Sequence, residues 1–258
     1  MILDELVNLT KLRYKDKKDN IEYIKNEANK RDKSTIKSFY DAIEKNGISF
    51  ICEIKKASPS KGIISETFLY KDIAKEYNKC ADVISVLTEP NKFLGSDKIL
   101  SDVKKLVDIP VLRKDFIIYP YQIYEAYSIG ADAILLIVAI LSDKELKEYI
   151  NLAHSLGLGC LVEAHDELEV KRAVLSGAKV IGVNNRNLRD FTIDMQNSIK
   201  LRNKAPKSVK FVSESGIKTR EDIKVLEAND VDAVLIGEIL MRSNNPYDMV
   251  MNLKYDKD

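Results

Sequence analysis

The chain has 258 residues, 45% of them hydrophobic, with 41 lysines and arginines against 40 aspartates and glutamates and a formal net charge of +1. One large α/β barrel or two small domains fit that length, and the balanced charge removes any general electrostatic case for nucleic acid or an anionic membrane as partner, so an anion must be held by a local site. Cys52, Cys80 and Cys160 are odd in number and lack CxxC spacing, which favours buried thiols in a reducing cytoplasm over a disulfide framework.

Residues 1–47 come first. Ile2, Leu3, Leu6 and Val7 recur on one face while lysines and aspartates fill the rest, a spacing that predicts an N-terminal helical extension. The opening MILDELVNLTKLRYKDKKDN lacks the apolar stretch of a secretory leader. The longest wholly apolar run, 133–141, is about half of what a membrane-crossing helix requires. The expectation is a cytoplasmic protein without a membrane partner.

After Gly47 short β-branched runs alternate with longer polar helical patterns. Strands are predicted over 50–55, 83–87, 111–114, 133–138, 160–163, 180–184, 210–214 and 233–237. Between them Ser142 with Glu145, Asp166 with Glu169 and Thr219 with Asp222 carry capping-box spacing or a near variant of it. Gly130, Gly157 and Gly177 each fall just past a helical pattern, as a left-handed C-cap requires. An internal echo supports the count: KCADVISVL, IGADAILLI, SGAKVIGV and NDVDAVLIG align at Ala81, Ala131, Ala178 and Val231 and mark every second strand. Eight strand-then-helix units argue for a closed (β/α)8 TIM barrel with an N-terminal helical extension. One domain over 1–258 is expected, with 1–47 packed on the barrel. The rival is an open doubly wound sheet, which calls for a Gly-rich phosphate loop; KKASPSKG is neither GxGxxG nor GxxxxGK[ST].

In the barrel fold, active sites lie at the carboxyl ends of the strands. There the sequence places Glu53 and Lys55, then Glu89, Lys114, Glu163, Asn184 with Arg186, Glu214 with Ser215, and Gly237. Residues i and i+2 of a strand share a face, so Glu53 and Lys55 of FICEIKKASPSKG emerge side by side. Arg113, Lys114 and Asp115 also suit a solvated strand end. Glu163 and Glu214 follow inward apolar residues, where an unpaired carboxylate is costly. His154 reads as part of a polar helix and His165 as a loop contact. With no HxxxH spacing and no cysteine cluster, no metal is expected. Gly216 and Gly237 follow the seventh and eighth strands, where this fold commonly binds phosphate. The residues themselves point to a small phosphorylated substrate and proton transfer by lysines and carboxylates without a cofactor. Neighbouring lysines lower one another's pKa and carboxylates raise it, which can leave one group ready to donate and another ready to accept.

ICEIKKASPSKG, VLRKDFIIYPYQIYEAYSIGADAILLIVAIL, LGCLVEAHDELE, VIGVNNRNL, VSESGIKTREDI and AVLIGEILMR, in that order between residues 50 and 242, resemble the indole-3-glycerol phosphate synthase family of tryptophan biosynthesis, as does the opening MILDELV. The resemblance implies conversion of 1-(2-carboxyphenylamino)-1-deoxyribulose 5-phosphate to indole-3-glycerol phosphate with loss of carbon dioxide and water. It implies Lys114 as general acid, Glu163 as the group that stabilises positive charge on the anilinic nitrogen or moves protons in the dehydration, and Lys55 as a second lysine on the substrate carboxylate. Glu53 and Glu214 would orient the lysines, and Asn184, Arg186 and Ser215 would contact the substrate. Ser58, Phe116 and Leu135 would form loop and aromatic pocket, and Gly216, Gly237 and Glu238 the phosphate cradle. Ala57 stands where some members carry a phosphate-directed lysine, so Lys56 or Lys61 is expected to substitute. Glu238 stands where others have serine, so its side chain is expected to turn away. An unfused chain acting as a monomer or weak homo-oligomer is expected. The alternatives are a Schiff-base aldolase, whose barrel lysine attacks a carbonyl, and a silent phosphosugar-binding barrel.

Overall fold

The computed structural model describes residues 2–45, 47–187 and 190–256. Met1 of MILDELV, Asn46, Leu188 of VIGVNNRNL, Arg189, and Lys257 and Asp258 of MNLKYDKD lie outside the described residues.

Eight parallel strands close into a barrel: Ser49–Ile54, Val83–Leu87, Val111–Lys114, Ala133–Ile137, Gly159–Ala164, Val180–Asn184, Lys210–Glu214 and Ala233–Ile236. Each pairs with its successor, and the last returns to the first through Ser49 opposite Ala233. The expected strands at 83–87, 111–114, 180–184 and 210–214 are met residue for residue. Val138 differs: it leaves the fourth strand for the 3-10 turn Val138–Ile140. Between the first and second barrel strands, Ala57–Ser58 and Gly62–Ile63 form a small antiparallel hairpin.

Alternation along the strands makes two cores. Phe50, Cys52, Ile54, Ile84 and Val86 point outward and pack with residues of the surrounding helices. Ile51, Val83, Leu112, Leu161, Val212 and Leu235 fill the interior. Side chains that stand alternately on the two faces of a strand dictate this division. The helices start and stop where their caps say: Ser142 accepts from Glu145 N, Asp166 from Glu169 N and Thr219 from Asp222 N. Gly130, Gly157 and Gly177 all take positive φ.

The N-terminal residues contribute at both ends of the barrel. Phe39, Ala42 and Ile43 of the short helix Phe39–Ile43 join the interior core. Phe39 lies against Gly159, where an added Cβ would come within 2.7 Å of the Phe39 ring. At the other mouth, Ile2, Leu3 and Leu6 of the helix Ile2–Arg13 cover the strand ends. Among the described residues, no helix is long and apolar enough to cross a membrane.

The repeated motif has a physical basis at the amino ends of the strands. Asp82, Asp132 and Asp232 each stand one residue before an even-numbered barrel strand. Their carboxylates accept, each at 2.8 Å, the backbone N–H of Phe50, Val111 and Phe211 on the preceding strand. The other repeat has Lys179 at this position, opposite Cys160 in the register. There Tyr40 supplies the acceptor, its hydroxyl 3.1 Å from Cys160 N, with Lys179 over its ring at 5.0 Å. A side chain of the extension thus completes a set that the barrel makes three times by itself.

Tyr40→Phe leaves the Cys160 N–H without that acceptor and is expected to cost about 1–2 kcal/mol. Asp132→Ala also strips Arg31 and Lys104 of their carboxylate and is expected to cost about 3 kcal/mol or more. Urea unfolding checks the order: equal midpoints for the two variants would contradict it.

Candidate active site

The alternation that buries Ile51, Leu112, Leu161 and Val212 inside the barrel brings the residues two further along, Glu53, Lys114, Glu163 and Glu214, to its carboxyl mouth. Lys114 Nζ lies 2.9 Å from Glu214 Oε2 and 3.2 Å from Glu53 Oε2. The other oxygen of Glu53 is 2.5 Å from Lys55 Nζ, so one carboxylate bridges two ammonium groups. Glu53, Glu163 and Glu214 are 2%, 4% and 1% exposed, so water does little to screen them. Glycine makes room for two of these carboxylates. A Cβ on Gly237 would fall 2.5 Å from Glu53 Oε1, and one on Gly182 would overlap Glu214 Oε1.

Burial pushes the Glu53 carboxyl up, but Lys114 and Lys55 prevail and hold it down at about 2. At Lys114 burial favours the neutral amine, yet Glu214, Glu53 and Glu163 outweigh it and raise the pKa well above the ordinary lysine value. At Lys114 the carboxylates therefore prevail over burial. Glu214 is driven up to about 7 by burial first, and then, against the pull of Lys114, by Glu163. Glu163 moves the other way: burial raises it, but His165, Lys114 and a hydrogen bond with Asn184 bring it below the usual glutamate range. Burial opposes the charge on His165, yet Glu163 and Glu169 raise its pKa to about 10.

The mouth holds a cavity of about 400 Å³. Lys114, Glu163, Lys55, Glu53, Ser58, Phe116, Leu135, Asn184, Arg186, Ser215, Gly216, Gly237 and Glu238 all line it. Glu214 is not in the lining and stands behind Lys114. The apolar lining includes Leu6, Phe116, Leu135 and Ile137, which belong to the interior core, with Phe93 packed against that core and its ring centroid 6.2 Å from that of Phe116. The polar lining includes Lys61, Arg186, Lys218 and Arg242. Gly216 has φ +92°, a conformation that glycine adopts without strain, and it follows Ser215 at φ +68°.

Three readings from the sequence need correction. Glu89 is absent from the cavity lining. Its carboxylate accepts the N–H groups of Asn91, Lys92 and Phe93 and so builds the loop that presents Phe93. The Glu238 side chain does not turn away from the basic residues. Its oxygens lie 3.8 Å from Lys61, 3.7 Å from Arg186 and 3.4 Å from Arg242. Arg113 is not at a solvated strand end: it is fully buried, 2.8 Å from Asp97, 2.9 Å from Glu125 and 3.3 Å from Asp115. Asp115 also takes Arg13 at 2.7 Å, and the Tyr14 hydroxyl, which donates to Glu125, lies 3.2 Å from Arg113. Lys114 thus sits between two outward side chains tied to the end of the first helix.

His165, expected as a loop contact, does lie in the loop after the strand Gly159–Ala164 and bonds Glu169; beyond that expectation, its Nε2 is 3.2 Å from Glu163. The signal available was HxxxE, which puts Glu169 in the next helix's first turn. Among the described residues, no group of three or more His, Cys, Asp and Glu side chains is placed to hold a metal ion.

The barrel is similar in fold to solved phosphosugar enzymes. A 3-hexulose-6-phosphate synthase superposes with TM-score 0.66 at 15% identity over 80% of this chain and 98% of that one. The 3-hexulose-6-phosphate synthase of Salmonella typhimurium gives 0.61 at 17% identity over 80% and 96%. Sequence relatives go further. The indole-3-glycerol phosphate synthases of Ruminiclostridium cellulolyticum and Endomicrobium trichonymphae are each 56% identical to this chain, covering 95% of both chains in the first case and 98% of this chain and all of the relative in the second. The family model described as indole-3-glycerol phosphate synthase matches residues 3–253. The chain belongs to the indole-3-glycerol phosphate synthase family.

Proposed function

We propose that this chain converts 1-(2-carboxyphenylamino)-1-deoxyribulose 5-phosphate to indole-3-glycerol phosphate, carbon dioxide and water. The observation that carries the reading is the placement of the Lys114 amine between the side chains of two buried glutamates, on a cavity that also has an apolar wall and a group of basic side chains. The aromatic ring of the substrate suits the wall of Leu6, Phe93, Phe116 and Leu135. Its phosphate suits the N–H groups around Gly216 and Gly237, together with Lys61 and Arg186. Lys61 lines the cavity and Lys56 does not, so Lys61 serves in place of the phosphate-directed lysine for which this chain has Ala57.

The ring carbon that bears the carboxylate attacks the ketone carbon, and the carbonyl oxygen takes a proton from Lys114 as its electrons become an alkoxide. An alkoxide is far more basic than any lysine, so a firmly protonated Lys114 is suited to the step. The new C–C bond leaves positive charge on the anilinic nitrogen, which the Glu163 anion stabilises. Expulsion of carbon dioxide returns its bonding electrons to the ring and restores aromaticity. Loss of the hydroxyl as water, with Lys55 as acid and Glu163 taking a proton, completes the indole. Glu53 and Glu214 hold the lysines, and Asn184, Arg186, Ser215 and Ser58 orient the substrate. A Schiff-base route needs Lys114 as the free amine, which its raised pKa disfavours. The whole chain acts as one unit, because its first helix supplies Ile2, Leu3 and Leu6 to the cavity. The buried free cysteines suit a cytoplasmic enzyme, acting as a monomer or weak homo-oligomer.

Lys114→Ala is expected to lower turnover by roughly 10²–10⁴-fold, followed by indole fluorescence after addition of the substrate; near-normal rates would rule out its role as the acid. Glu214 gives a prediction with a pH sign. Its folded pKa, about 7, lies above the ordinary value of roughly 4.3, so the folded protein holds a proton there that the unfolded chain releases. Stability from that proton is present at low pH and is lost as pH rises toward 7. Glu214→Gln mimics the protonated form. It should match wild type near pH 4.5, exceed it by about 1–3 kcal/mol near pH 8, and turn over more slowly at both. Denaturant unfolding at the two pH values tests this, and a gain that does not depend on pH would count against it.

A further inference from the structure

Beside Glu163, and outside the cavity lining, stands an imidazole that the mechanism above does not use. His165 follows the strand Gly159–Ala164 directly. Its Nε2 lies 3.2 Å from Glu163 Oε1 and its Nδ1 3.1 Å from Glu169 Oε2. The backbone holds the same arrangement, since the His165 N–H donates to Glu169 at 2.8 Å and the His165 carbonyl accepts from Asn197 Nδ2 at 3.4 Å. Nε2 is buried and is not aligned in any hydrogen bond, so its contact with Glu163 is one of charge more than of direction.

Glu163 shares the mouth with Glu214 and Glu53, and Lys114 is the cation among them, with Lys55 on Glu53. Carboxylates that interact in this way share protons, and their surroundings decide which one stays ionised. Lys114 from the third strand, Asn184 from the sixth and His165 favour charge on Glu163, whereas Glu163 and Glu53 both oppose charge on Glu214. We propose that His165 is a positioning residue: held as imidazolium between Glu163 and Glu169, it keeps the Glu163 carboxylate ionised by its charge, so that a proton shared in the mouth settles on Glu214 and not on the group facing the substrate. This rests on the ring-closure reading. The opposite directions of the Glu163 and Glu214 shifts agree with it.

The test compares wild type, His165→Ala, His165→Gln and Glu169→Gln, with kcat and KM measured over about pH 5–9. His165→Ala should lower kcat roughly tenfold or more while KM stays within about threefold, and should move the acid limb of kcat upward by about one pH unit. His165→Gln restores an N–H donor without the charge; it should recover part of kcat and keep the displaced limb. Glu169→Gln should shift the limb less, in the same direction. An acid limb at the wild-type position in His165→Ala overturns the proposal. So does His165→Gln with both kcat and limb of wild type, since the charge then has no part. A wild-type enzyme that fails to turn over the substrate would defeat the ring-closure reading instead. The clamp is then still decided by carbon NMR of labelled glutamate, where Glu163 must titrate at higher pH in His165→Gln than in wild type; equal values overturn it.

Discussion

A lysine ammonium held in a barrel mouth by carboxylates from two other strands is the interaction on which the site depends. A lone Lys114 there would lose its proton to escape the cost of burial. Glu53 and Glu214 reverse that preference, and the fold provides for them: Gly237 on the eighth strand side and Gly182 on the sixth leave the space their carboxylates occupy. Glu53 also holds Lys55, so the two lysines are fixed relative to one another through one side chain. The cost falls on Glu214, whose carboxyl burial and Glu163 push up to about 7 against the pull of Lys114, so it ionises only near neutral pH.

The third strand is anchored on its other face as well. Arg113 and Asp115 flank Lys114 and point into a largely buried ionic network with Asp97, Glu125, Arg13 and Tyr14, open to solvent at Asp97. Such a network is weak evidence for net stability, because taking the charges out of water offsets their attraction. Its consequence is geometric: the strand end that carries Lys114 is tied to the helix Ile2–Arg13, whose apolar face roofs the cavity. The extension therefore enters the structure at several points, as plug at Phe39, as strand acceptor at Tyr40, as roof at Leu6 and as ionic partner at Arg13 and Arg31.

Much of this could be read from the sequence because it depends on short periods. Strand alternation alone places Glu53, Lys114, Glu163 and Glu214 one step above interior apolar residues, and the recurring aspartates Asp82, Asp132 and Asp232 before the strands reflect a real hydrogen bond to the previous strand. The places of Arg113 and Glu89, and the approach of His165 to Glu163, are not legible in the sequence because their partners are set by packing. Arg113 meets Tyr14, 99 positions away, and no local pattern distinguishes that from a solvated strand end. Glu89 turns back onto its own loop, a choice between short-range acceptance and convergence on the cavity that composition does not decide. His165 needs both Glu163 in front and the first turn of the next helix behind, and only the folded loop brings these together.

The central claim is that Lys114 is a permanently charged acid in the resting protein. Nitrogen NMR of lysine-labelled protein, with the Lys114 Nζ signal assigned by its absence in Lys114→Arg, measures this directly. The account predicts that the signal remains that of an ammonium beyond about pH 10.4, where an ordinary lysine is half deprotonated. A Lys114 that titrates well below that value would contradict it.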